Sequence, residues 1–331
     1  MGSIDIHSHA FPESFLRRIS ELHPDQIQLD ESGDVLIGRW SKAPLPAFDL
    51  HTRKAEMDRD DVDLEFLSAP IVYGITDRTL VELCRRLNGF QAQMCNLEPD
   101  RFRSFLHLPV HDLRSTQAEL TRWRDVPSVV GVVLGSNMGG TYPGDAALLP
   151  VWELIAESRL PVFIHPLGPC GMPPMPVMSP IFMFPNDTAV AAASIIYSGL
   201  MQRFPELDII LAHYGGPLSV LARRLDMGYE NRGFAPGHGE NFSQPPSSFL
   251  SRFYVDCAQG FHGPGLDAAR AVFGIEHILF GSDQFLLGTT WRAQLNEFLY
   301  NNPRLSDADL HAILRGNAER LFHHRLTMPQ P

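Results

Sequence analysis

Two histidines separated by one residue, His7-Ser8-His9, close the short apolar run Ser3-Ile4-Asp5-Ile6 near the start of the chain. In an extended segment the side chains at i and i+2 share a face, so this spacing sets two imidazoles side by side at the end of a strand. Such a pair is half of a metal site. Three more polar residues end apolar runs in the same way: His165 after Val162-Phe163-Ile164, His213 after Ile209-Ile210-Leu211-Ala212, and Asp283 after Ile278-Leu279-Phe280-Gly281-Ser282. A lone histidine at a strand end is usually an ordinary hydrogen-bonded residue. Recurrence on several runs points instead to a shared centre, and imidazole with carboxylate suits a divalent first-row ion such as Zn²⁺.

The elements that must position these residues recur along the chain. Eight short β-branched or apolar runs fall at 4–7, 64–69, 105–109, 129–135, 162–165, 209–213, 253–256 and 278–283. Most are apolar throughout rather than alternating, as parallel strands buried on both faces should be. Helical patterns lie at 77–97, 115–124, 146–158, 188–204, 216–230, 266–273 and 306–322, with Asp187 read as an N-cap and Ser306 with Asp309 as a capping box. This alternation predicts an α/β fold, a (β/α)8 TIM barrel in which polar residues at the carboxyl ends of strands gather at one mouth. A doubly wound open sheet is the competitor, but no GxGxxG follows the first strand. Residues 12–54 form an insertion after the first strand, with a small β-element over 26–40 turning at 31–33, read as a flap over one barrel end. The stretch 167–185, rich in Pro, Met and Phe, is expected to line the same mouth. The whole of 1–331 is read as one domain.

Composition narrows the function. The chain of 331 residues is 44% hydrophobic and 20% charged, with a formal net charge of -11. There is no run of Lys or Arg, and nucleic acid is excluded as a partner because phosphate binding needs a basic stripe. A small anionic substrate is not excluded, since one buried arginine can dominate locally. Cys84, Cys95, Cys170 and Cys257 form no CxxC pair, so a disulfide framework is not expected and the setting is read as reducing and cytoplasmic. No signal peptide fits before His7. No apolar run reaches the roughly 18–20 residues of a membrane span; the nearest, 189–201, is read as a core helix.

In combination, His7-Ser8-His9, His165-Pro166, Ala212-His213-Tyr214-Gly215-Gly216 and Gly281-Ser282-Asp283 resemble the amidohydrolase superfamily. The closer resemblance is to the branch of aminocarboxymuconate-semialdehyde decarboxylase. Glu56-Met57-Asp58, Phe253-Tyr254-Val255-Asp256 and Gly316-Asn317-Ala318 are also similar, and the resemblance spans essentially the whole chain. It implies that His7, His9, His165 and Asp283 bind one divalent metal, Zn²⁺ first and Mn²⁺ as the alternative. It implies too that His213 stays off the metal and polarises bound water or substrate. Binuclear members carry a bridging lysine at the end of the fourth strand, whereas 129–135 here reads VVGVVLG. A mononuclear site follows, and amide hydrolysis by a bridged hydroxide loses its basis.

The resemblance further implies nonoxidative decarboxylation of a small aromatic, hydroxybenzoate-like or muconate-like carboxylic acid. Asp283 would donate the proton with His213 assisting. For the substrate carboxylate, Arg224 matches an arginine that in this branch reaches into the neighbouring subunit's site, which implies a homodimer. Arg223, Arg39 and Lys42 are further cations, with Lys42 read as a solvated charge. Leu167 stands where the decarboxylase has an aromatic residue. Phe182 and the methionines Met172, Met175, Met178 and Met183 suit an apolar pocket for an aromatic acid. Asp256 and Ser282 are read as outer partners of the ligands, and His262 as structural. Hydration of a double bond, or hydrolysis of a lactone or C–C bond, is the alternative that the same five residues could serve. A catalytically silent scaffold has no use for His213 beside four ligands.

Overall fold

Eight parallel strands follow one another around a single sheet in chain order: β1 Ser3–His9, β2 Val62–Ser68, β3 Phe102–His107, β4 Val129–Gly135, β5 Val162–His165, β6 Ile209–Leu211, β7 Phe253–Asp256 and β8 Ile278–Leu279. The structure is a computed structural model, describing residues 2–25, 27–29, 35–37, 41–43, 48–168, 179–231, 242, 244–284 and 290–326. Every residue of β1, β3, β4 and β5 is buried, and β4, which reads VVGVVLG, accordingly carries no polar alternation. The segment after β8 closes the ring against β1. Ile6 N–H donates to the Phe280 carbonyl (3.0 Å), Asp283 N–H to the His7 carbonyl (2.9 Å) and His9 N–H to the Gln284 carbonyl (2.6 Å). Helices cover the outside, among them Thr79–Leu97, Leu113–Trp123, Leu149–Ser158, Phe184–Tyr197, Leu218–Leu225 and Gly263–Phe273. The (β/α)8 barrel expected from the strand–helix alternation is the observed architecture.

Side-chain caps set some of the helix starts. Asp112 caps Leu113–Trp123 by accepting from Ser115 N–H at 2.9 Å. The Ser306–Asp309 capping box is formed as expected. Asp187 is a correction: it is no N-cap, because the helix begins at Phe184, with Pro185 in its first turn. The Asp187 carboxylate is buried and instead accepts from Ser136 Oγ, from Asn137 Nδ2 (2.8 Å) and from the Tyr142 hydroxyl (2.6 Å). A residue type that often caps is here spent on tying the segment after β4 to the helix after β5. The expected helix 188–204 also breaks at Gly199 (φ 79°) and resumes at Leu200–Arg203. The terminal pattern 306–322 is interrupted by one wide turn, Ala312–Gly316.

Between β1 and β2 the chain forms helix Glu13–Leu22, a small antiparallel sheet of Ile27–Leu29, Val35–Ile37 and Ser41–Ala43, and helix Leu50–Arg59. The expected β-element is thus present with a third strand. Its turn at 31–33, Arg39, the side chain of Lys42, Cys170 and residues 169–178 with Met172, Met175 and Met178 lie outside what is described. Cys84, Cys95 and Cys257 are free and buried. Among the described residues no helix is long and apolar enough to cross a membrane.

A buried charge network lies beneath the first two strands. Arg292 is fully buried and contacts Asp60 (3.0 Å), Asp5 of β1 (3.5 Å) and Glu65 of β2. Arg53 donates to Ser8 Oγ at 2.6 Å, to Glu65 Oε2 at 3.2 Å and to the His9 carbonyl at 2.8 Å. Burial pushes the Asp5 carboxyl up to about 6 against the pull of Arg292. Burial works the same way on Glu65, but there Arg53 and Arg292 outweigh it and hold the carboxyl below its usual range. Removing one member of such a cluster strands the others without compensation. Arg292→Met should therefore lower stability by about 3–5 kcal/mol, measured by urea unfolding at neutral pH.

Candidate metal centre

The ends of β1, β5 and the segment after β8 bring His7, His9, His165 and Asp283 together in full burial, with one ligand atom from each within 4.8 Å of all the others. The three rings stand nearly perpendicular to one another: 82° for His7–His9, 86° for His7–His165 and 81° for His9–His165. Each Nδ1 is occupied behind the site. His7 Nδ1 lies 2.7 Å from Asp256 Oδ2, His9 Nδ1 lies 3.2 Å from Ser68 Oγ, and His165 Nδ1 donates to the Pro166 carbonyl at 2.8 Å. Each Nε2 faces the same atom, Asp283 Oδ1, at 3.2, 2.9 and 4.0 Å respectively.

This arrangement fits a metal on its own terms. His7 Nε2 and His165 Nε2 are buried without a hydrogen-bond partner, a costly state for imidazole nitrogens unless something else takes them up. The charges agree. Burial disfavours a charged His7, yet the carboxylates of Asp283 and Asp256 outweigh it and raise its pKa to about 10. Burial lowers the pKa of His9 and His165. Burial would raise Asp283, but His7, His165 and His213 hold its carboxyl well below the usual range. Two carboxylates that draw positive charge onto a buried imidazole call for a cation, and nitrogen with oxygen donors suits a divalent first-row ion. β4 contributes only Val129-Val130-Gly131-Val132-Val133-Leu134-Gly135, with no side chain that could bridge a second ion.

His213 reaches the centre from a different angle. Its Nε2 lies 3.5 Å from Asp283 Oδ2, the oxygen turned away from the three other imidazoles. His213 (φ 58°), Tyr214 (52°), Gly215 (68°) and Gly216 (60°) form a run of left-handed residues directly after β6, and Asp283 is left-handed too (58°). Non-glycine residues held there store strain of the kind that collects at functional sites. The glycines of the motifs are explained by close approach. A Cβ on Gly216 would sit 1.9 Å from the Pro185 carbonyl oxygen, and one on Gly281 would sit 2.8 Å from the Cβ atoms of both His7 and Asp256.

The other expected residues lie elsewhere. Arg224 is on the exposed face of Leu218–Leu225 and forms no ion pair among the described residues, whereas Arg223 pairs with Glu230 at 2.7 Å. Phe182 is 59% exposed and lines a surface groove of about 420 Å³ with Ile181, Val220 and His262, a groove that none of the four clustered residues lines. Ser282 binds Asp5 through its hydroxyl (2.5 Å) and its amide (3.0 Å), so it ties the closing segment to the charge network rather than supporting Asp283. Ser68 behind His9 was not singled out by the sequence; a serine ending a strand carries no distinguishing signal. Asp5 inside an apolar strand was a visible anomaly, and the structure explains it through Ser282 and Arg292.

Barrel and centre together define a metal-dependent barrel of the amidohydrolase kind. The chain belongs to the amidohydrolase family, whose model matches residues 4–323, and within it to the branch of aminocarboxymuconate-semialdehyde decarboxylase. It is 28% identical over 328 residues to a 2-amino-3-carboxymuconate-6-semialdehyde decarboxylase of Dictyostelium discoideum, covering 95% of this chain and 90% of that one. It is 29% identical over 323 residues to a gamma-resorcylate decarboxylase of Rhizobium radiobacter, covering 90% and 94%. Among solved structures, a dihydroxybenzoic acid decarboxylase from Polaromonas sp. JS666, with bound manganese and the inhibitor 2-nitroresorcinol, superposes with a TM-score of 0.77 at 25% identity over 99% of each chain. The relatives and the His/Asp cluster agree on a divalent metal.

The purified chain should bind one divalent ion, measured by elemental analysis after dialysis, and His165→Ala should lose it. An ion present at 100 times its dissociation constant should stabilise the fold by about 2.7 kcal/mol, read as a rise in Tm that chelator reverses.

Proposed function

We propose that this protein is a metal-dependent decarboxylase that removes CO₂, without oxidation, from a small aromatic (hydroxybenzoate-like) or muconate-like carboxylic acid. The observation that carries the reading is the divided carboxylate of Asp283, with Oδ1 among the three imidazoles and Oδ2 turned to His213. The decarboxylase relatives support the choice of reaction. His7, His9, His165 and Asp283 are the proposed ligands. Held by them, a divalent ion supplies positive charge that lowers the cost of anionic oxygen in the substrate.

The chain's own residues handle the proton. The ring carbon bearing the carboxylate takes a proton; the carbon–carboxylate bond then breaks, its electrons return to the ring, and CO₂ leaves. Asp283 is the proposed donor. A carboxyl group held below its usual range by neighbouring imidazoles is a good acid once protonated, and a partner beside it is the proposed source that delivers its proton. His213 Nε2, 3.5 Å from Asp283 Oδ2, is placed for that delivery and for holding the substrate.

The finer assignments follow the same logic. Imidazole-rich ligation favours Zn²⁺, with Mn²⁺ as the alternative that the Polaromonas structure supports. Arg224 is the proposed carboxylate clamp, supplied across a homodimer; its exposure beside the apolar Val220 and Leu221 supports a face covered by a second copy. Arg39 and Phe182 are proposed to contact substrate, under a flap formed by residues 12–54 of a single domain. Three buried free cysteines support a reducing, cytoplasmic setting.

Incubation of the metal-loaded protein with a panel of hydroxybenzoates in D₂O should release CO₂ and leave deuterium at the vacated carbon. Water addition without CO₂ would instead make the protein a hydratase or hydrolase. His213→Ala should cut kcat by about 10²–10⁴-fold while leaving metal content intact. Sedimentation should give a dimer, and Arg224→Ala should raise KM.

A further inference from the structure

Asp256, the last residue of β7, serves two parts of the site at once. Its Oδ2 lies 2.7 Å from His7 Nδ1, while its Oδ1 accepts from the peptide N–H of His213 at 2.7 Å and of Ala258 at 3.0 Å. The residue is fully buried. Its Cβ and that of His7 converge on a point that only a glycine at position 281 leaves open.

The chemistry of these contacts is directional. A carboxylate has no proton to give, so the His7 ring must place its own on Nδ1. In the neutral ring that ligation requires, Nε2 is then left with a free lone pair, and Nε2 is the atom turned toward Asp283. The other oxygen grips the first residue of the left-handed run that carries His213. A backbone in that region is held by its surroundings rather than by its own preference. A charge-assisted bond from a fixed carboxylate is a strong hold of this kind.

We propose that Asp256 is a positioning residue that assembles the metal-binding half and the proton-handling half of the site together. One oxygen sets His7 in the only neutral tautomer whose Nε2 can bind a metal. The other pins the His213 turn so that its imidazole meets Asp283. The inference rests on the reading of His7 as a metal ligand and of His213 as the proton-handling residue, but not on which reaction the site performs.

Asp256→Asn separates the two duties, because the shapes match and one oxygen remains. That oxygen can still accept from His213 and Ala258. The new amide N–H then faces His7 Nδ1, makes it an acceptor and moves the ring proton to Nε2, closing the ligand position. Zn²⁺ affinity, measured against a chromophoric chelator, should fall by about 10–100-fold with the Tm of the metal-free protein unchanged. Asp256→Ala should in addition speed hydrogen exchange of the peptide spanning 209–216, which Asp256→Asn should leave as it is. Wild-type Zn²⁺ affinity in Asp256→Asn, or unchanged exchange in Asp256→Ala, overturns the proposal. Should the variants fail to fold, ¹⁵N-histidine spectra of the Zn²⁺-loaded wild type decide: His7, assigned by its loss in His7→Asn, must show a protonated Nδ1, and an unprotonated Nδ1 overturns the proposal equally. None of these readouts measures turnover, so a different reaction would leave all of them standing.

Discussion

The structure turns on one carboxylate. Asp283 places one oxygen among three imidazoles and the other toward a fourth, and it does so from a backbone conformation that aspartate rarely adopts (φ 58°). That conformation is possible because the same residue's N–H is bonded to the His7 carbonyl. Closing the barrel and assembling the centre are therefore one event at one seam. The requirement for Gly281 follows from it: the seam is too tight for a side chain there.

Beneath the seam, the fold keeps charge where most proteins keep hydrocarbon. Asp5, Glu65, Asp60, Arg53 and Arg292 are all buried. Such pairs contribute little net stability, because desolvation offsets attraction. They do fix geometry: Arg53 holds Ser8 and the His9 carbonyl, and Asp5 holds both polar groups of Ser282. The strand that presents His7 and His9 and the segment that presents Asp283 are thus braced from behind by directional bonds, which an apolar contact could not provide.

Much of this was legible in the residues. The ends of β4, β5 and β7 match the apolar runs to the residue, since short buried strands bounded by Gly, Pro or Asp leave little latitude. The five residues at the mouth were legible because each ends such a run. Other features resisted because they depend on contacts distant in sequence. Asp187 looks like a cap locally and proves to be a tertiary anchor for Ser136 and Tyr142. Arg292 looks like any helix arginine until the barrel closes around it. Ser282, adjacent to Asp283, serves the strand beside it instead. Local chemistry identifies which groups could react, and topology decides which of their neighbours support them.

The centre also carries a consequence for the order of events in the cell. His9 and Asp283 are separated by 274 residues yet lie 2.9 Å apart, so segments distant in sequence must meet before the four-residue cluster exists. Contacts so distant in sequence form only after a large loop-closure cost has been met. During synthesis the emerging histidine pair is a two-armed chelator with no carboxylate to complete it. The full four-residue cluster arises only once the eighth strand has been made and the ring has shut. Under the proposed ligand set, full coordination of an ion is therefore deferred until the eighth strand has been made, since the earlier strands supply the three imidazoles without the carboxylate.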